Sequence, residues 1–308
     1  MRALVVGCGY VGLSVATELA RQGHEVFGLR RSPGGREAIE AAGVKPIFCD
    51  ITRRESLDPL PLPFDWIVNT TASSKGGADE YRKVYLGGAQ NLLDFLRQSP
   101  PNKYVFTSST AVYEQNEGEW VSESMPAQPT APTGQALLET ENILMEAARQ
   151  CRFPSVILRV SGIYGPGRGY YLSRYLSGSA VISGDGRRFV NMIHRDDLVT
   201  AIIAALKSGR AGEIYNATDD EPARQISLYR FLSETLGRAM PRFVAESPDA
   251  RKRAVTNKRI SNRKLKMELG CQFKYPNFRV GFTAEIQKLS LPPQSPGLVH
   301  TRFSSGIL

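Results

Sequence analysis

Gly7-Cys8-Gly9-Tyr10-Val11-Gly12 stands between a short apolar run, Ala3 to Val6, and a stretch of helical periodicity, Val11 to Gln22. No other feature constrains the fold as much. A strand, a glycine-rich turn and a helix in succession commit the chain to a βαβ start. Gly7 permits the tight turn. Gly9 lacks the Cβ that would keep the backbone away from a phosphate, and Gly12 lets helix and strand pack closely. The helix start presents unpaired N–H groups to an anion. A plain strand-to-helix turn is the alternative reading of the same residues.

The rhythm continues. Gly23 can end the first helix in a left-handed conformation. Glu25 to Leu29 reads as a second strand, and Ser32-Pro33 opens a helix that ends at Gly43. Val44 to Phe48 is a third strand, followed by Asp50. Asp58-Pro59-Leu60-Pro61-Leu62-Pro63 excludes regular structure, because proline fixes φ and has no N–H. Trp66 to Asn69, Lys103 to Thr107 and Val156 to Val160 are further strands; Tyr81 to Arg97 and about Gly134 to Gln150 are helices. This alternation predicts an α/β fold, a doubly wound parallel sheet of the Rossmann type covered on both faces. After Tyr164-Gly165-Pro166-Gly167 the segments shorten and glycine and proline increase. Gly184-Asp185-Gly186 predicts a hairpin turn. Arg195 to Leu206 returns to helix and Glu213 to Asn216 to strand. The expected organisation is a cofactor domain over 1–165 with 190–217 returning to it, a smaller substrate lobe over 166–189 and 218–286, and a tail over 287–308. No internal repeat is present.

Composition removes several classes. No apolar run approaches the ~18 residues needed to span a bilayer, and Met1 to Val6 leads straight into the glycine loop with no cleavage-site pattern. A cytoplasmic protein without membrane contact is expected. Cys8, Cys49, Cys151 and Cys271 are dispersed and read as reduced thiols. His24, His194 and His300 form no ligand cluster, so no metal site is expected. The net charge of +9 is concentrated between Arg251-Lys252-Arg253 and Lys266. Nucleic acid is not the expected partner for that run: aromatic residues are not interleaved through it, and a solvated helix face explains it.

The end of the second strand reports on the cofactor. An NAD site usually carries Asp or Glu there for the ribose 2′-hydroxyl. This chain has Leu29-Arg30-Arg31, with Arg36 beyond. Two guanidinium groups suit a 2′-phosphate, so NADP rather than NAD is expected. Exposed arginines at a strand end are the alternative. Asp50 is placed either to meet an adenine amino group or to cap the following turn.

Several separate motifs resemble the extended and atypical short-chain dehydrogenase/reductases, the NAD(P)-dependent epimerase/dehydratase family. They are the glycine loop, Val105-Phe106-Thr107-Ser108-Ser109-Thr110-Ala111-Val112-Tyr113, Leu158-Arg159-Val160-Ser161-Gly162-Ile163-Tyr164-Gly165-Pro166-Gly167, Asn191-Met192-Ile193-His194-Arg195-Asp196-Asp197 and Ile214-Tyr215-Asn216-Ala217. The resemblance runs from Met1 to about Phe282 and looks most like nucleoside-diphosphate-sugar epimerase-like proteins. It implies an oxidoreductase, epimerase or dehydratase chemistry on a small, anionic or nucleotide-sugar-like substrate. It also implies cofactor contacts from Gly7, Gly9, Tyr10, Val11, Gly12, Arg30, Arg31, Asp50, Ile51, Thr70, Thr71, Ala72 and Thr107, and a homodimer through helices near 81–97 and 134–150.

One part of the pattern is missing. The family binds the substrate oxygen with Ser or Thr, moves its proton with Tyr, and lowers the Tyr pKa with a Lys four residues on. Ser109 fits the first role. With Glu123-Ser124 and Glu141 as anchors, Thr133 and Leu137 occupy the other two positions. Threonine has no accessible ionisation and leucine no charge, and no Tyr or Lys lies between Glu117 and Gln150. Tyr113, Tyr164 and His194 are the candidate replacements, each also explicable as a packing or helix-start residue. A substrate- or water-supplied proton is a second possibility. A non-catalytic NADP(H)-sensing or scaffold protein is a third. Lys75, after the fourth strand, and Arg168, Arg187 or Arg188, toward the substrate lobe, are candidate substrate contacts. Tyr170-Tyr171 are expected at the cleft mouth.

Overall fold

The computed structural model describes residues 1–73, 76–245 and 256–290. Its centre is a seven-stranded sheet in which every pair is parallel. The strands are β1 (Arg2–Val6), β2 (Glu25–Arg30), β3 (Lys45–Phe48), β4 (Trp66–Asn69), β5 (Lys103–Ser109), β6 (Ser155–Val160) and β7 (Glu213–Ala217). Their spatial order is β7-β6-β5-β4-β1-β2-β3. The chain moves outward one way from β1 and then returns to its other side with β4. Between β1 and β4 the winding reverses, which opens a crevice at the carboxyl ends of the strands.

Alternation along each strand builds the two faces. In β1, Ala3 and Val5 enter one core cluster while Leu4 and Val6 enter the other. The first cluster is closed by α1 (Tyr10–Arg21), α2 (Arg36–Ala41) and α7 (Arg195–Ser208), through residues such as Val15, Leu19, Ile39 and Ile202. On the other side lie a helical segment and α5 (Pro132–Cys151). That segment comprises α3 (Ala78–Tyr81), a π-helical stretch (Arg82–Gly87) and α4 (Gly88–Leu96). Leu92, Leu93, Leu96 and Leu144 fill this face.

A third cluster stands apart from the sheet. Leu172 and Tyr175 of α6 (Tyr170–Leu176), Leu228 and Leu232 of α8 (Gln225–Leu236), and Phe278 and Phe282 of α10 (Phe278–Ser290) pack with Ile182 and Val190. Within the stretch assigned from sequence to the lobe, Leu265 and Leu269 of α9 (Arg263–Leu269) and Cys271 belong to the sheet's own cluster instead.

The hairpin expected at Gly184-Asp185-Gly186 does not form. Gly184 and Gly186 do turn the chain, with φ of 56° and 71°. The flanking strands pair elsewhere: Val181–Ser183 runs parallel to Arg242–Val244, and Phe189–Val190 runs antiparallel to Ala223–Arg224. Glycine chemistry specifies the turn, whereas the pairing partners are chosen by distant chain.

Candidate active site

The glycine loop has the shape an anion cradle requires. Gly7 adopts φ 81°, and a Cβ there would meet the Thr71 backbone at 2.7 Å. A Cβ on Gly12 would lie 2.4 Å from the Gly7 carbonyl oxygen and 2.6 Å from Thr70 Oγ1. At Gly9 the nearest atom to a built Cβ is 3.8 Å away, so this side of the loop is open. Helix α1 starts at Tyr10 with no side-chain cap and no acidic residue in its first turn, leaving its first N–H groups for an anion. The Thr71 Oγ1 and Tyr10 hydroxyls beside the loop are buried without a partner. These residues fit a dinucleotide pyrophosphate.

Around the loop the other expected cofactor residues take the following places. Val11 is half-buried against the α1 face of the core. Arg30 Nη1 lies against Gly35, where a Cβ would approach it to 2.3 Å. Arg31 faces Glu80 at 4.0 Å, and Arg36 stacks on Phe48 at 4.6 Å. Asp50 Oδ1 accepts from Thr52 N at 3.0 Å and from Thr52 Oγ1 at 2.8 Å, so it caps its turn. Burial opposes its ionisation, but the Thr52 bonds and the charges of Arg31 and Arg53 hold its pKa below the ordinary value. Ile51 is buried against Gly88, and Asn91 holds its carbonyl. Thr70 Oγ1 ties β4 to the carbonyls of Val6 and Gly7. Ala72 is exposed, and Thr107 Oγ1 donates to the Asn69 carbonyl at 3.2 Å.

Ser109 ends β5 and caps the 3-10 turn Thr110–Val112, accepting from Ala111 N at 3.1 Å. Its own hydrogen is left for another oxygen. Helix α5 begins against this turn: a Cβ on Gly134 would lie 3.1 Å from the Ala111 carbonyl. Thr133 is half-buried, while Leu137 is buried in an apolar cluster with Val112, Tyr113, Val121 and Ile260. Beneath Ser109, Ser108 Oγ donates to Glu141 Oε1 at 2.5 Å. Glu141 is also gripped by Arg159, whose Nη2 lies 2.6 Å from Oε2. Both members of this pair are buried.

The three expected replacements for the proton donor are turned inward. Tyr113 is fully buried; its hydroxyl donates to Asn216 Oδ1 at 2.9 Å and its ring lies under Arg159. His194 is fully buried too. Its Nδ1 accepts from Asp196 N at 3.2 Å, which leaves Nε2 to donate to Glu285 Oε1 at 3.2 Å. Tyr164 packs on His194 and Phe282, and its hydroxyl is buried without a partner. Burial, reinforced by Asp219, Asp197 and Glu285, pushes its pKa far above the usual tyrosine range. All three are buried, and the Tyr113 hydroxyl and both ring nitrogens of His194 are engaged by the protein's own groups.

Asp219 shares this interior. Neither of its carboxylate oxygens meets hydrogen-bond geometry. Burial raises its pKa well above the ordinary value; the Glu221 amide opposes the shift, and Asp220, Glu221 and Asp197 add to it. A carboxyl whose pKa is raised on folding stabilises the fold below the unfolded value and loses that contribution as pH rises through the folded value. We expect Asp219→Asn to unfold at higher denaturant than wild type at pH 8, by about 1 kcal/mol or more, and the gain to vanish below about pH 4. Equal urea midpoints at pH 8 would contradict this.

On the lobe side, Arg168 is exposed and lies 5.2 Å from the Tyr10 ring, with Arg195 on the same ring at 5.3 Å. Arg187 is exposed beside Asp185, whereas Arg188 Nε is buried without a partner. Tyr170 and Tyr171 pack edge to face, and Tyr171 also meets Tyr229 in the lobe core. Lys75, Arg251, Lys252 and Arg253 and the tail from Leu291 lie outside the described residues. The remainder of the basic run is largely engaged internally: Lys264 meets Glu213 at 2.6 Å, Lys266 meets Asp220 at 2.7 Å, and Arg259 stacks on Trp120 and Phe189.

Within that run lies a residue that reading the sequence missed. Lys258 is buried, and its Nζ donates to the Tyr113 carbonyl at 2.7 Å and Thr256 Oγ1 at 2.6 Å. The signal was parity: Lys258 and Ile260 share a face of a short extended segment, and Ile260 is a core residue.

A doubly wound parallel sheet with a glycine cradle at its switch point, and a separate core cluster beside it, define a Rossmann-type α/β protein. Residues 3–218 match the family model of the NAD dependent epimerase/dehydratase family. The chain belongs to that family. It is 30% identical to Protein YeeZ of Escherichia coli K12 over 90% of this chain and 97% of the relative. It is 27% identical to the UDP-glucose 4-epimerase of Corynebacterium glutamicum, over 91% of this chain and 93% of that one. Among solved structures, the dTDP-glucose 4,6-dehydratase DesIV of Streptomyces venezuelae, with NAD and TYD bound, superposes with a TM-score of 0.81. At 23% identity, covering 93% of this chain and 96% of that one, it shows the shared fold.

Proposed function

We propose that this chain is an NADP(H)-dependent oxidoreductase or epimerase/dehydratase-like enzyme acting on a small, anionic, nucleotide-sugar-like substrate. In this reading Ser109 binds the substrate oxygen, and the usual Tyr/Lys pair is replaced by Thr133 and Leu137. The observation that carries it is the open Gly9 edge of the cradle with Arg30 at the end of the neighbouring strand. The names of the relatives support the substrate class, and they offer nothing in favour of a non-catalytic sensor. The same reading takes 166–189 and 218–286 as the substrate lobe, the faces near 81–97 and 134–150 as a dimer contact, and the cytoplasm as location.

When bound, the nicotinamide supplies hydride transfer. The chain's own residues do the rest. Gly7, Gly9 and the first amides of α1 hold the pyrophosphate, and Thr70, Thr71 and Ala72 border it. Asp50 and Ile51 flank the adenine, and Arg30 and Arg31 meet the 2′-phosphate. Ser109 accepts from Ala111 N and directs its O–H at the substrate. Arg168 and Arg188 supply positive charge toward the lobe.

The test is a fluorescence titration with NADPH and NADH. Arg30→Ala should weaken NADPH binding about 10- to 100-fold, the value of one charged hydrogen bond, and leave NADH binding nearly unchanged. Tighter binding of NADH than of NADPH by the wild type would refute the phosphate assignment. Failure to bind either would refute the cofactor reading.

A further inference from the structure

We propose that Lys258 holds an anionic oxygen of the substrate, placing in this site the positive charge that Leu137 does not provide. The inference rests on the function proposed above and adds the residue that recognises the ligand's charge.

Among the described residues, Arg159 and Lys258 are the buried lysine and arginine side chains. Arg159 is neutralised by Glu141. Lys258 has no carboxylate within ion-pair distance among the described residues; its two partners are a carbonyl and a hydroxyl. The carboxylates that act on it electrostatically, Glu114 and Glu119, form no ion pair with it and accept hydrogen bonds from Thr130 and Glu117 N instead. A buried ammonium without a counter-ion is costly. The cost is explained if the counter-ion arrives with the ligand.

The location agrees. Tyr113, whose carbonyl holds Nζ, closes the 3-10 turn that Ser109 caps, its N–H donating to the Thr110 carbonyl. Ile260, two residues from Lys258, packs in the same apolar cluster as Leu137. The segment is also fixed. Asn257 N donates to Asn116 Oδ1, Asn257 Oδ1 accepts from Phe189 N, and Asn191 takes both the Lys258 carbonyl and the Ile260 amide. The ammonium is thereby preorganised rather than left on a mobile stem. With three N–H donors and two bonds, it keeps one hydrogen for a ligand. Burial lowers its pKa to about 8, against the opposing charges of Glu114 and Glu119, so its charge is lost just above neutrality.

The required chemistry is an oxyanion, from a phosphate or from a carboxylate. The experiment follows the Lys258 side chain by NMR in full-length protein carrying isotope-labelled lysine. The signal is assigned by Lys258→Gln, which keeps a hydrogen-bond donor, and pH titrations are run with pyrophosphate, uridine diphosphate or acetate. Expected is a midpoint near 8 that rises by about one unit with at least one probe. Binding of that probe should weaken at least tenfold in Lys258→Gln and in wild type above pH 9, with the thermal midpoint of the variant unchanged or raised. Response to acetate alone would assign a carboxylate, and response to the phosphates alone a phosphate. A midpoint unmoved by all three probes overturns the proposal, even if uridine diphosphate binds elsewhere and NADPH binding leaves the function reading intact. Lys258→Gln that loses stability while keeping wild-type probe affinity also overturns it, by assigning the residue a structural role.

Discussion

Arg159→Met should lower the free energy of unfolding by about 3–5 kcal/mol, the largest loss expected from any single side chain of the site. The substitution leaves Glu141 buried and ionised with only Ser108 as a described side-chain partner. Transferring an isolated carboxylate from water costs far more than the hydrogen bonds it made, so the fold must open, admit water or take up a proton. Arg159 also lies 4.7 Å from the Tyr113 ring, whose hydroxyl holds Asn216, and Glu123 Oε1 accepts from Asn216 N at 2.7 Å. The pair therefore binds α5 to β5, β6 and β7 directly beneath Ser109. The check is urea denaturation of Arg159→Met, Glu141→Leu and the double variant. The double variant should recover most of the loss, because an apolar pair replaces a buried ion pair at small cost. If the two single losses simply add, the pair is not a coupled unit and the assignment fails. Ser109-dependent ligand binding should fall with Arg159→Met and return in the double variant.

The sheet was legible in the sequence because each strand carries its own parity. Ala3 and Val5 against Leu4 and Val6 is a local pattern, and both faces are apolar because helices cover both. The glycine loop was legible because it stands between an apolar strand and a helical period, although the atoms that crowd Gly7 and Gly12 include Thr70 and Thr71 from a distant part of the chain. Long-range pairing was not. Nothing near Gly184-Asp185-Gly186 states that Val181–Ser183 will seek Arg242–Val244. Tyr113, Tyr164 and His194 sit in the expected motifs, yet which way a side chain points at a strand end depends on packing contributed by Asn216, Phe282 and Glu285. Glu141 served as an alignment anchor; its role as partner of Arg159 depends on α5 lying across β6. Lys258 was hidden among surface cations, and only its register with Ile260 separates it from them.

Gly9→Ala and Gly12→Ala should separate cofactor binding from folding at the cradle. A Cβ on Gly9 finds open space and its φ of −108° is negative, while its ψ of −140° lies just outside the broad extended region. The variant should fold within about 1 kcal/mol of wild type, the cost of a mildly strained backbone without a steric clash. It should bind NADPH about 100-fold more weakly, or about 2.7 kcal/mol, because the methyl stands where the pyrophosphate approaches the backbone. Gly12 differs. Its Cβ would lie 2.4 Å from the Gly7 carbonyl, and that oxygen is fixed by Thr70 Oγ1 at 3.0 Å and Gly9 N at 2.6 Å. Gly7 N is in turn held by the Leu29 carbonyl at 3.0 Å. The contact can be relieved only by moving α1 off β1, so Gly12→Ala should lose about 1–3 kcal/mol of stability together with NADPH binding. Calorimetric titration and urea denaturation of the two variants check the pair. Equal stability losses would show that the Gly9 edge is packed rather than open, and wild-type NADPH affinity in Gly9→Ala would move the pyrophosphate away from this loop.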